Sequence, residues 1–282
     1  MENKNNNNNI DIDDILRHCV LAARESSKFL LENFHKCQPL LDISLKDDLS
    51  IVSQLDRQSQ DMIIAYLGKQ FPKIGFIAEE QNQELNLQAR DYSHYFVVDP
   101  LDGTQCFVDG IPFFSVSIAL CDDNSKVMTG VIIDPSHGEE FTASIGESAL
   151  LNGRIICVSK QDRIEQMRIN VNHNKLTTQL FDNINNNILR KIDVFHKLGS
   201  LCLEMAYVAA GRLDATINNQ ISMWDMCAAS LIVEQAGGKW TLFDGSKPKF
   251  PRYNKFDIIA SNNNHCMHDR LLDRIAGAAS VP

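Results

Sequence analysis

The sequence predicts an α+β protein built as a layered sandwich of sheets and helices. Three observations predict it. Apolar residues recur at three- and four-residue steps near the N-terminus. Short buried runs crowd the stretch between residues 74 and 143, and later helices and strands mix without the strict alternation of a βαβ protein.

Residues 1–10 are a polar, Asn-rich tail, expected to be disordered. From Asp11, a helical face is marked by Ile12, Ile15, Leu16, Cys19, Val20, Ala23, Phe29, Leu30 and Phe34, and Asp11, Asp13 and Asp14 suit its N-terminus. A second helix is expected over about 54–70, ending near Pro72. Residues 74–78, 95–98, 113–120, 127–133 and 140–143 read as short strands. Residues 199–210 and 226–235 read as helices, with Gly211 and Gly237 as C-caps. Strands are expected over 213–217, 239–242 and 256–260, and a last helix over 265–275. The expected unit is a single fold over 11–276, with an N-terminal half to about residue 150, a C-terminal half from about 151, and a tail at 277–282.

Length allows one or two domains. Of the 282 residues 44% are hydrophobic and 22% charged, enough for a core and too many apolar groups for intrinsic disorder. The 27 basic and 36 acidic side chains leave a net charge of −9. A chain so acidic does not displace counterions from nucleic acid and is not drawn to anionic lipid. A negatively charged substrate must then be held locally, by a metal or by aimed backbone amides.

No apolar stretch reaches the roughly 18 residues of a membrane span, and no apolar leader follows Met1. The eight cysteines, at 19, 37, 106, 121, 157, 202, 227 and 266, form no CxxC pair and read as reduced thiols in a core. The expectation is a soluble, cytoplasmic protein.

The carboxylates carry the chemistry. Glu79 and Glu80 end one apolar run, Asp99 ends another, Asp102 follows after Pro100 and Leu101, and Asp225 opens an apolar helix. Charges at the ends of buried strands are costly unless compensated, and oxygen-rich clusters of this kind suit Mg²⁺. In the run 99–104, two carboxylates three residues apart across a Pro-started turn can converge on one point. Gly103 lets the backbone approach a ligand closely, and a helical turn beginning there would face a phosphate with its free amides. Alone, the same run also reads as a turn with an Asp N-cap.

The run Asp99-Pro-Leu-Asp-Gly-Thr104, with Phe107-Val108 and Pro112-Phe-Phe114 after it, resembles the first signature of the inositol monophosphatase superfamily. Trp224-Asp225, Ala228-Ala229 and the run 234–238 resemble the second, Ala78-Glu79-Glu80 the GEE element, and Lys46 through Val52-Ser53 to Asp56 the K…VT..D element. Together, in this order, the four are specific. The resemblance implies an α/β/α/β/α sandwich and Mg²⁺-dependent hydrolysis of a phosphate monoester, commonly by a homodimer. It assigns Glu79, Asp99 and the Leu101 carbonyl to a first Mg²⁺, Asp99, Asp102 and Asp225 to a second, and the surroundings of Glu79 to a weaker third. Asp56 and Thr104 match the pair that orients and deprotonates the attacking water, and the amides of Gly103 and Thr104 match the phosphate cradle. The chemistry is coherent by itself: a metal lowers the pKa of bound water from about 16 towards 7, so no activated Ser or Cys is needed.

For the substrate, Gly199-Ser200 matches the family's GS/GT loop, with Leu201 in place of a small residue. Seven positions before Asp225, where inositol phosphatases carry an acid for sugar hydroxyls, stands Asn218. The spacing from Gly199 through Gly211 to Asp225 follows the inositol monophosphatase branch. Lys46-Asp-Asp48-Leu-Ser50 resembles bisphosphate nucleotidases and histidinol phosphatases instead. The expected substrate is an inositol monophosphate or similar sugar phosphate, with those two activities and a catalytically silent regulatory homologue as alternatives. Survival of Asp56, Glu79, Asp99, Asp102 and Asp225 favours the enzyme. Asp109 and Asp134 read as a turn and a strand end, His265 and His268 as solvated side chains, Cys106 as a packed thiol near the site, and Trp224 and Glu80 leave two readings each open.

Overall fold

The computed structural model describes residues 10–34, 43–45, 51–81, 83–89, 92–172, 176–248 and 255–277. All but residues 10 and 277 of the expected tails at 1–10 and 277–282, and Lys46, Asp48 and Ser50, lie outside the described residues.

Helix α1 (Ile12–Phe34) starts where the Asp14 N–H donates to the Asp11 carboxylate at 3.0 Å, and buries Ile15, Cys19, Ala22, Ala23 and Leu30 along one face. A short hairpin, β1 (Ile43–Leu45) and β2 (Ile51–Ser53), leads into α2 (Gln54–Gln70). Next come β3 (Gly75–Ala78), α3 (Gln83–Gln88), β4 (His94–Asp102), α4 (Thr104–Val108), β5 (Ser115–Asp122), β6 (Val127–Asp134), β7 (Glu139–Ser144), β8 (Leu150–Leu151) and β9 (Arg154–Ile155). Strands β3 to β9 make a seven-stranded sheet in chain order; β3 runs parallel to β4 and the other neighbours are antiparallel.

The rest of the chain builds a five-stranded sheet. Its elements are β10 (Ile169–Val171), α5 (Thr178–Asn187), β11 (Phe195–His196), α6 (Leu201–Ala209), β12 (Ala215–Ile221), α7 (Cys227–Gln235), β13 (Gly238–Leu242), β14 (Phe256–Asn262) and α8 (Met267–Ile275). The strand order is β11-β10-β12-β14-β13.

Five layers result. Helices α1 and α2 cover one face of the large sheet, α6 and α7 fill the space between the two sheets, and α5 and α8 close the far side of the small sheet. Each interface has its own apolar cluster, and the largest, around α6 and α7, includes Leu203, Met205, Ile232 and Trp240. This is the α/β/α/β/α sandwich. Among the described residues no helix is long and apolar enough to cross a membrane.

Two expectations change. His268 is not solvated: it is fully buried between Thr241 and Ser261, each 2.9 Å from a ring nitrogen, because the apolar stripe of α8 turns this position inward with Met267 and Leu271. Strand β12 runs four residues past the expected end at 217, since the polar run Asn218-Asn219-Gln220 stays paired along β14 through a bulge.

Candidate active site

The end of β4 places two of the acids. Residues three apart on a regular strand point to opposite faces. Here Asp99 pairs with Ser117 but Asp102 with Ser115, so β4 carries one extra residue and the alternation is reset. Asp99 and Asp102 therefore reach one point, and their oxygens lie within 4.8 Å of each other and of Cys202 Sγ. Glu79 follows the neighbouring parallel strand β3, its N–H held by the Val98 carbonyl at 3.2 Å. Asp225 comes from the turn before α7, where its carboxylate accepts the Ser222 N–H at 2.7 Å.

These acids line one cavity of about 240 Å³, together with Leu101, Gly103, Thr104, Gly199, Leu201, Glu204, Asn172 and residues 218–221. Burial and the charges of Glu79, Asp102 and Asp225 drive Asp99 well above the ordinary carboxylate range. Burial pushes Asp225 up to about 8, with the charge on Glu79 and Asp102 adding to it. Asp102 rises to about 6 through burial, against the pull of hydrogen bonds from Ser200 and Cys202. Converging carboxylates that repel one another are the signature of a place for a cation.

The donor chemistry fits a hard ion. Four carboxylates and the Leu101 carbonyl offer oxygen alone, as Mg²⁺ prefers. The sulfur that comes within 4.8 Å of the Asp99 and Asp102 oxygens, Cys202 Sγ, donates to the Asp225 carbonyl at 3.1 Å, and burial raises its pKa well above that of an ordinary thiol, so it stays protonated.

Beside the acids, Gly103 begins α4 at φ +87°, a conformation that suits glycine, and a Cβ there would stand 2.8 Å from the Phe113 carbonyl. Thr104 Oγ1 lies 3.1 Å from Asp56 Oδ1 and 3.1 Å from the Leu101 carbonyl. Asp56 is buried in the first turn of α2.

The model of the inositol monophosphatase family matches residues 11–280. The chain belongs to that family. An inositol-1-monophosphatase of Mesorhizobium japonicum is 34% identical over 241 residues, 83% of this chain and 87% of that one. A Nus factor SuhB of Pseudomonas aeruginosa is 35% identical over 255 residues, 88% and 91% of the two chains. The crystal structure of the extragenic suppressor protein SuhB of Bartonella henselae matches with a TM-score of 0.84 at 33% identity, covering 94% of this chain and 100% of that one.

Membership of the inositol monophosphatase family supports a phosphatase, a phosphoric monoester hydrolase. The fold brings Glu79, Asp99, Leu101, Asp102, Gly103, Thr104, Gly199, Asn218 and Asp225 to one cavity, with Asp56 behind Thr104. Ser200, expected among the substrate contacts, is placed differently. It is fully buried and does not line the cavity, and its hydroxyl donates to Asp102 Oδ2 while capping α6. Cys106 packs behind Gly199, its Sγ donating to the Leu198 carbonyl at 3.3 Å. Trp224 packs on the central apolar cluster rather than lining the cavity. Asp134 closes β6, a strand end as expected, and accepts the N–H groups of Ser136 and His137.

Sequence reasoning missed Glu204, Cys202, Asn172, Asn219 and Gln220. The signal for Glu204 was present: it is the one charge in the apolar run of α6.

Proposed function

We propose that the chain hydrolyses a small phosphate monoester with two or three Mg²⁺ ions, and that the substrate is an inositol monophosphate or a similar sugar phosphate. The observation that carries this reading is the convergence of Glu79, Asp99, Asp102 and Asp225 on one cavity that the Thr104–Asp56 pair also reaches. Glu79, Asp99 and the Leu101 carbonyl would hold one ion, Asp99, Asp102 and Asp225 a second, and the surroundings of Glu79 a weaker third. When bound, Mg²⁺ supplies acidity to coordinated water and positive charge opposite the phosphoryl oxygens.

The protein's own groups do the rest. The amides of Gly103 and Thr104 hold the phosphate. Thr104 Oγ1 donates to Asp56 Oδ1, which leaves its lone pairs to accept a proton from the attacking water and Asp56 to take up the proton passed on. Gly199 and Asn218 contact the alcohol portion, and Leu201 narrows the space beside them. A cytoplasmic setting is supported by the seven described cysteines, all free and five of them buried.

A regulatory role is the second reading, favoured by the Nus factor name of the Pseudomonas relative. The test is phosphate release, with Mg²⁺ and with EDTA, from inositol 1-phosphate, 3′-phosphoadenosine 5′-phosphate, histidinol phosphate and fructose 1,6-bisphosphate. A kcat/KM preference for inositol 1-phosphate is expected. Preference for the nucleotide or histidinol phosphate moves the chain to another branch, and no Mg²⁺-dependent release leaves the regulatory reading.

A further inference from the structure

Glu204 sits in the cavity wall, yet none of the metal or water chemistry above uses it. It is 2% exposed, in a helix whose buried neighbours Leu201, Leu203, Met205 and Ala206 are apolar. A carboxylate so placed must be satisfied by donors, and these are all present. Oε1 accepts the Gly199 N–H at 3.0 Å, and Oε2 accepts Thr216 Oγ1 at 3.1 Å and Asn218 Nδ2 at 2.9 Å.

The bookkeeping of hydrogens then fixes Asn218. Thr216 gives its one hydroxyl hydrogen to Glu204 and so accepts from Asn218 Nδ2 at 2.7 Å. Both amide hydrogens of Asn218 are thereby taken, one by Glu204 and one by Thr216. The opposite end of that side chain is an oxygen, and among the described residues no hydrogen bond to Asn218 Oδ1 is made. Asn218 itself lines the cavity. An amide held in this way offers an acceptor and no donor, which selects a hydroxyl and leaves an aprotic group unrewarded.

We propose that Glu204 is a positioning residue for substrate specificity: it locks the Asn218 amide with its oxygen toward the cavity, so that the site prefers monophosphates of polyols, whose alcohol portion carries a free hydroxyl. The same carboxylate holds the Gly199 N–H, so it ties the loop before α6 to the middle of β12. The inference rests on the hydrolase reading and deepens it.

Glu204→Gln keeps the shape and the acceptor for Gly199 but turns a donor toward Asn218 Nδ2. The amide then flips and presents its NH₂ group to the cavity. The experiment compares inositol 1-phosphate with phenyl phosphate, which has no hydroxyl, under saturating Mg²⁺ at mildly alkaline pH. The expected result is a KM for inositol 1-phosphate raised about tenfold with kcat within about twofold, and an equal fall in the kcat/KM ratio of the two esters. The paired variant Glu204→Gln, Asn218→Asp returns an acceptor to the cavity and recovers the ratio. Should Glu204→Gln fail to fold, Asn218→Ala tests the same acceptor and loses the same ratio.

A ratio unchanged in a folded Glu204→Gln or in Asn218→Ala, or one that the paired variant does not recover, overturns the proposal and leaves the hydrolase reading standing. A wild-type chain that releases no phosphate from either ester overturns both.

Discussion

Ser200 Oγ stands 2.5 Å from Asp102 Oδ2, and that contact ties the cap of α6 to the carboxylate at the end of β4. The Cys202 N–H reaches the same oxygen at 2.7 Å. One oxygen of Asp102 is thus held by the middle helical layer, which fixes the side chain while the other oxygen is left for a ligand.

Removing that tether weakens metal binding more than folding. Groups that orient a ligating carboxylate typically contribute 10–100-fold in metal affinity. Ser200→Ala is expected to raise the Mg²⁺ concentration for half-maximal activity about tenfold, with kcat at saturating Mg²⁺ changed much less. A Mg²⁺ titration of phosphate release checks it, and an unchanged requirement contradicts the tether.

Asp99 is shared by both proposed ions, and burial with three acidic neighbours holds it far from its ordinary ionisation. Asp99→Asn removes a ligand and a repulsion together. Mg²⁺-dependent turnover is expected to disappear while the unfolding midpoint of the metal-free protein holds or rises. Wild-type-like kcat in this variant removes the metal assignment.

The same repulsion makes stability depend on pH when no metal is present. Asp225 is raised to about 8 and Asp102 to about 6, both above the carboxylate range of the unfolded chain. The folded state therefore holds protons that the unfolded state has released. This contribution is complete below about pH 4 and is lost as pH rises through about 8, at up to about 1.4 kcal/mol per pH unit for each group. Denaturant unfolding in EDTA is expected to show stability falling from pH 6 to pH 8, and Mg²⁺ to stabilise more at pH 8 than at pH 6. Equal stabilisation at both contradicts the placement of the ion among these carboxylates.

His268 works in the opposite sense on the far side of the small sheet. Burial lowers it to about 4, with Lys239 adding to the effect, so the fold keeps it neutral between Thr241 and Ser261. The unfolded chain takes up the proton first, and stability present above about pH 6.5 is lost as pH falls through about 4. Wild type is expected to lose up to about 3 kcal/mol relative to His268→Gln between pH 7 and pH 4. Parallel stability curves for the two proteins sink this reading.

Long amphipathic and strongly apolar elements were legible in the sequence because their periodicity is local. Helix α1 and strand β6 sit within a residue or two of where the spacing puts them. Helix α5 was not legible: its sequence ends in Asn-Ile-Asn-Asn-Asn, poor helix formers that its Thr177 cap and its packing on α8 hold in place. The acids of the site stood out as charges at strand ends. The roles of Ser200 and Glu204 were not legible, because they depend on which atoms face them across the layers. A serine after a glycine says nothing of a carboxylate 98 positions away. The substitution of Asn218 for an acid reads as a loss of charge until Glu204 is seen behind it, at 2.9 Å from its amide.

The central claim is that the carboxylates gathered at the ends of β3 and β4 and before α7 are the seat of a metal-dependent phosphatase. The most direct measurement is the rate of phosphate release from inositol 1-phosphate by the purified chain, with Mg²⁺ and after EDTA treatment. Release that appears with Mg²⁺, stops with EDTA and returns when Mg²⁺ is restored is the predicted result. Release that persists in EDTA would contradict the claim.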